Sequence, residues 1–179
     1  MMLKMSSLRF VFPTLIMALS LVACIPGKKK QEPVDDKISQ LEKALFDEGG
    51  VYSQDTARML MDLYVRFADS LPHDERSAEY LFKAADLSMY FSDPGRTIWL
   101  LDRLMARYPE HEKAAMSLFL KAFTYDTRFD DTASARHFYQ QFIERYPQHE
   151  FAGEAEAAIR NLGKSPEELI REFEQRNNN

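Results

Sequence analysis

The hexapeptide Arg107-Tyr108-Pro109-Glu110-His111-Glu112 recurs as Arg145-Tyr146-Pro147-Gln148-His149-Glu150, 38 residues further on. A weaker copy, Leu71-Pro72-His73-Asp74, sets its proline 37 residues ahead of Pro109. Self-similarity at a fixed period constrains a fold more than any single window, because each copy then has to be one supersecondary unit stacked on the next. Upstream of each proline the same spacing returns: Leu60, Tyr64, Phe67, Pro72; then Thr97, Leu101, Leu104, Pro109; then Ala135, Tyr139, Phe142, Pro147. Steps of four and three put the first three side chains on one helix face. The proline falls just past the helix end, where its missing N–H does no harm. Leu169 and Phe173 repeat the step of four once more, with no proline after them.

Boundary residues agree with paired helices. Ser92-Asp93-Pro94 offers an N-cap followed by proline at the first helical position, and Asp130-Asp131-Thr132 starts the next helix in the same way. Ser165-Pro166-Glu167-Glu168 is a capping box directly after Gly163, a C′ residue. Gly49-Gly50 separates the first two helices. The pattern predicts eight helices, at about 35–47, 53–70, 74–91, 93–108, 110–126, 131–146, 148–162 and 165–176. No segment alternates with period two long enough to be a strand. A lone helix hairpin cannot bury both apolar faces, so neighbouring hairpins have to stack.

The small/apolar-x3-aromatic/apolar-x2-apolar-x4-Pro spacing resembles the second helix of a tetratricopeptide (TPR) repeat, whose usual unit is about 34 residues. First helices fit too: Ala78, Leu81, Phe82 and Ala85 match Ala115, Leu118, Phe119 and Ala122, while Ala152, Ala155, Ile159 and Leu162 are shifted by one residue. The longer periods imply insertions, best placed in the turns around 90–94 and 127–132. The usual first-helix Trp and Gly are missing, and Trp99 lies on a second helix. The resemblance covers about residues 55–175 and implies an all-α, TPR-like stack of antiparallel helix hairpins, an α-solenoid. In such arrays the first helices line a concave groove that takes an extended or helical peptide. On this register the groove-facing positions are Arg76, Glu79, Lys83 and Asp86, then Lys113, Met116, Leu120 and Phe123. Met116, Leu120 and Phe123 lie beside the core set of the same helix, so its apolar arc is unusually wide. Such a helix is either buried on both sides or offers an apolar stripe to a partner.

The N-terminus carries an address. Lys4 and Arg9 precede an apolar run, Phe10 to Val22, which is shorter than the roughly 20 residues of a membrane span. Leu21-Val22-Ala23-Cys24 resembles the lipobox of bacterial lipoproteins. That resemblance implies a signal at 1–23 and a mature chain starting at a lipidated Cys24, whose acyl chains contribute roughly 0.8 kcal/mol per buried CH₂. Residues 24–35 then form a tether, and 36–179 the helical domain. Lys28-Lys29-Lys30 either touch anionic headgroups, at about 1 kcal/mol per charge, or are simply solvated.

Composition removes other classes. Thirteen Phe and eight Tyr in 179 residues exclude a disordered chain. A net charge of −5 and a pI near 5.4 argue against nucleic-acid binding. One cysteine excludes an internal disulfide and a Cys-only zinc site. No glycine pattern cradles a phosphate, and there is no HExxH or GxSxG. His73, His111, His137 and His149 are the only acid–base or metal candidates, and they fit turns and helix junctions better. Asp126, Asp130 and Asp131 lack the calcium-loop pattern and fit a capping role. The sequence therefore points to a non-enzymatic scaffold without cofactor or metal. It is similar to TPR lipoproteins of the bacterial envelope, including the lipoprotein of the outer-membrane β-barrel assembly machinery, and to TPR proteins that coordinate peptidoglycan synthesis. These imply an outer-membrane anchor facing the periplasm and protein partners in the groove. Two other readings stay open. One is a peptidoglycan-modifying enzyme, which requires two carboxylates, or His plus carboxylate, in one pocket. The other is self-association through Trp99 or Phe123.

Overall fold

The computed structural model describes residues 34–46 and 53–177. The signal at 1–23, Cys24, residues 25–33 of the tether and Gly49-Gly50 lie outside the described residues. Within them the chain forms eight α-helices and no strand. They are α1 (Val34–Phe46), α2 (Gln54–Ser70), α3 (Arg76–Ser88), α4 (Pro94–Arg107), α5 (Lys113–Arg128), α6 (Thr132–Arg145), α7 (Ala152–Asn161) and α8 (Pro166–Asn177).

Helix starts follow from their caps. Ser53 accepts the Thr56 amide at 3.3 Å, Asp93 that of Arg96 at 3.1 Å, and Asp131 that of Ser134 at 3.0 Å. At α8 the capping box closes both ways: the Ser165 amide donates to Glu168 at 2.8 Å, and the Glu168 amide to Ser165 Oγ at 3.2 Å. Gly163 sits at φ +77° after α7, a conformation that favours glycine.

Three helix ends share one geometry. Leu71, Tyr108 and Tyr146 each precede proline, which disfavours the α region; their φ values are −131°, −132° and −132°. Each donates its amide to the carbonyl four residues back, on Phe67, Leu104 and Phe142. Three residues on, the amides of Asp74, His111 and His149 bond back to Leu71, Tyr108 and Tyr146. The hexapeptide is thus a helix stop, a turn and a helix start in sequence.

The nine side chains picked out by the spacing before each proline are all at most 2 % exposed. Eight of them belong to two apolar clusters, and the ninth, Thr97, accepts a hydrogen bond from Ser88 Oγ at 2.8 Å. One cluster joins α1 to α4 and takes in Ala114; the other joins α5, α6 and α7, with Phe119 against Tyr139, Phe142 and Phe151 at ring separations of 5.5, 5.5 and 5.2 Å. From α1 to α7 consecutive helices pack in pairs, and α3 also reaches α5. Ion pairs link alternate helices. Asp35–Arg76 (2.9 Å), Glu42–Lys83 (2.9 Å) and Glu79–Lys113 (4.0 Å) tie α1, α3 and α5. Asp62–Arg96 (3.7 Å), Asp69–Arg107 (3.4 Å) and Asp69–Arg103 tie α2 to α4. Among the first five helices, α1, α3 and α5 are therefore tied on one side and α2 and α4 on the other.

Some boundaries differ from the periodicity. α3 stops at Ser88 rather than 91, because the amides of Met89, Tyr90 and Phe91 turn to carbonyls three residues back. α5 runs on to Arg128, and Asp130, at φ +52°, makes the short turn before Asp131. α7 begins at Ala152 rather than 148, the residues before it being spent on the turn.

Candidate functional site

The layer of α1, α3 and α5 leaves two cavities that meet at Asp86. The larger, about 600 Å³, is bounded by Glu42, Lys43 and Phe46 of α1, Tyr64 of α2, and Lys83 and Leu87 of α3. The smaller, about 290 Å³, lies between the α3–α4 turn and the end of α5, lined by Met89, Tyr90, Pro94, Phe123, Thr127 and Arg128 among others. Together they form a trough with large side chains open to solvent: Phe46 is 64 % exposed, Tyr90 68 % and Phe123 38 %.

Its charges are unevenly committed. Glu42 accepts hydrogen bonds from Tyr64 Oη at 2.6 Å and Lys83 Nζ at 2.9 Å. Burial alone would raise the Glu42 carboxyl, but these two donors and the ammonium charge hold it below its ordinary range. Burial, then the Glu42 hydrogen bond, drives the Tyr64 hydroxyl up. Lys83 also lies over the rings of Tyr64 and Tyr80, 5.8 and 5.7 Å from their centroids. Arg128 donates to the carbonyls of Met89 and Phe91, both at 2.8 Å, where the end of α3 presents unpaired carbonyls. Asp86 differs. Its side chain reaches solvent, yet the surrounding walls raise its carboxyl, and no described cation pairs with it.

The structure sorts the expected groove residues. Lys83 and Asp86 line the larger cavity, and Asp86 and Phe123 the smaller. Leu120 turns inward and packs on the first cluster, and Met116 is half-buried. Lys113 is engaged by Glu112 at 3.3 Å and Glu79 at 4.0 Å and lies over Phe82, 5.4 Å from the ring centroid. Arg76 is held by Asp74 and Asp35 and covers the Phe67 ring at 4.7 Å. These last two buttress the layer outside both cavities. Sequence reasoning missed Phe46, Tyr90, Thr127 and Arg128. For Arg128 the signal was a cation in the last helical turn; for Tyr90 there was none, because the shortening of α3 placed it.

Histidines serve the turns. His111 Nδ1 accepts the Lys113 amide and His149 Nδ1 the Phe151 amide, each at 3.2 Å, which puts the ring proton on Nε2. Asp74 does the same for Arg76 at 3.0 Å, and the Arg76 hydrogen bonds hold its carboxyl at about 2. His73, Asp74, Glu75 and His111 line a third cavity of about 580 Å³. Two of those four groups are therefore committed to capping. Asp131 caps α6, while Asp126 is raised by burial and by the nearby Asp130. Among the described residues no three of His, Cys, Asp and Glu are placed to hold a metal ion. On the opposite layer Trp99, 45 % exposed, carries Arg96 and Arg103 over its ring at 4.8 and 5.0 Å. Among the described residues no helix is long and apolar enough to cross a membrane. No protein-family model matches the chain, and no curated protein matches it.

Proposed function

We propose that this chain is a non-catalytic, TPR-like scaffold, lipid-anchored through Cys24 in the bacterial envelope, that holds a peptide segment of a partner protein along α1, α3 and α5. The observation that carries it is the trough itself: two joined cavities with Phe46, Tyr90 and Phe123 open to solvent on rigid helices. Alternating layers support the TPR-like reading, as do the offsets of Asp62–Arg96 and Asp69–Arg103, both 34 residues. Outer-membrane protein assembly and peptidoglycan coordination are the processes such lipoproteins serve. Site-specific photocrosslinking in the native envelope tests the groove. A crosslinker at Phe123 is expected to trap one discrete protein and one at Trp99 none. Equal adducts from both positions, or none from Phe123, defeat the reading.

One observation favours a second reading. Glu42 and Asp86 line one cavity with their carboxyls shifted in opposite directions, the pattern of an acid–base pair. An enzyme of this kind would use Asp86 as proton donor and Glu42 as base on an envelope polymer. Against it, Glu42 already accepts from Tyr64 and Lys83, both at Oε1, and the lowered carboxyl makes it a weaker base. Release of soluble fragments from purified peptidoglycan, abolished in Asp86→Asn, would establish it.

A further inference from the structure

We propose that the trough selects a peptide carrying a lysine or arginine, whose cationic head meets Asp86 while its stem lies along Phe123. The proposal rests on the peptide-binding reading above and assigns the charge of the ligand. Five charged side chains line the two cavities: Glu42 and Lys43 from α1, Lys83 and Asp86 from α3, and Arg128 from α5. Glu42 and Lys83 neutralise each other at 2.9 Å. Both terminal nitrogens of Arg128 are spent on backbone carbonyls. Lys43 lines the larger cavity, which Asp86 also borders, but not the smaller one where Phe123 lies. That leaves Asp86 as the charge in the smaller cavity with no described partner, and it stands where the two cavities join. Asp86 is the one described residue that lines both, so a segment seated in either cavity lies beside it.

Three physical arguments point to a cation. A partly desolvated carboxylate gains more from an ion pair than a fully hydrated one. The rings of Tyr90 and Phe123 border the same cavity, and aromatic faces attract ammonium and guanidinium groups while accepting an aliphatic stem. An acidic ligand would set like charge against Asp86, which is how a groove rejects the wrong partner.

Random dodecapeptides displayed on phage and selected on the full-length chain in detergent provide the test. A fluorescein-labelled selected peptide is then titrated by anisotropy against the wild type, Asp86→Asn and Phe123→Ser. Circular dichroism checks that both variants fold. The expected result is a single enriched Lys or Arg beside apolar residues, with affinity lowered about tenfold in Asp86→Asn. Replacing that basic residue by norleucine should cost the same factor, and Asp86→Asn should then add nothing further. Peptides that depend on Phe123 but show no basic preference, or that bind Asp86→Asn unchanged, overturn the proposal and leave the groove reading standing. Absence of any Phe123-dependent peptide overturns both. Concentration-dependent self-association abolished by Phe123→Ser also overturns it, because the occupant would then be a second copy.

Discussion

At the heads of α3, α5 and α7 one side chain accepts the amide two residues on, and that residue is Asp74, His111 or His149. The need is the same in each case, since the first helical amides have no intrahelical partner. The atoms differ: a carboxylate oxygen in the first turn and a ring nitrogen in the other two. The ring of His149 also packs on Phe142 and Phe151, at 5.2 and 5.9 Å, whereas no such stacking is seen for His111. His111 is therefore the cleaner probe of the cap. His111→Ala should cost about 1 kcal/mol in urea unfolding, and His111→Asp, copying Asp74, should retain the wild-type value. Equal losses in both variants would mean that the ring contributes by packing instead. The repeated hexapeptide made these positions visible, because a polar residue at a fixed place after Tyr-Pro is a turn signal. Which nitrogen accepts, and from which amide, is set by the backbone geometry of the turn.

Helix α5 settles the question its wide apolar arc raised. Ala114 and Leu120 face the first cluster, Ala115, Leu118 and Ala122 the second, so one helix is shared by two cores. Of the stripe itself, Leu120 packs on the first cluster and Met116 is half-buried, while Phe123 emerges into the smaller cavity. Periodicity could not separate these outcomes, since it reports which face is apolar and not what stands opposite. The consequence is a graded set of stabilities along α5. Leu118→Ala should cost about 3 kcal/mol and Leu120→Ala about 2, but Phe123→Ala no more than about 1. Chemical denaturation of the three variants checks the order. A large loss at Phe123 would show that it supports the core. The same ranking explains why Phe123 and not Leu120 is the position to alter when binding is measured.

Across the whole molecule the two clusters carry the fold unequally toward the C-terminus. The last first-helix set is out of step with its predecessors: counted from the shared turn, Leu118 corresponds to the exposed Glu156, and Ala155 alone is fully buried on α7. Among the described side chains of α8 none is buried, with Ile170 and Phe173 58 and 59 % exposed. It is tied to the preceding turn by the Ser165–Glu168 capping box and by the Lys164–Glu172 pair at 2.7 Å, a partly exposed contact of the kind that contributes up to about 1 kcal/mol. Ending the chain at Gly163 should therefore lower stability by no more than about 1 kcal/mol, and amide exchange in the full chain should be fastest in α8. A loss of several kcal/mol on truncation would mean that α8 closes the second cluster.

The sequence by itself determined the number of helices, the Ser and Asp caps, the three proline turns and the nine inward side chains before them, because each depends on residues within a few positions of one another. Leu60, Tyr64 and Phe67 are on one face by helical geometry alone, and Pro72 ends the helix whatever packs against it. The trough was decided by tertiary structure. Asp86 stands out only once α1 places Glu42 on Lys83 and α5 brings Arg128 to the end of α3, removing the cations that would otherwise have answered it. Those partners lie about 40 residues apart in the chain. No local pattern encodes which charges are left unpaired when such elements meet.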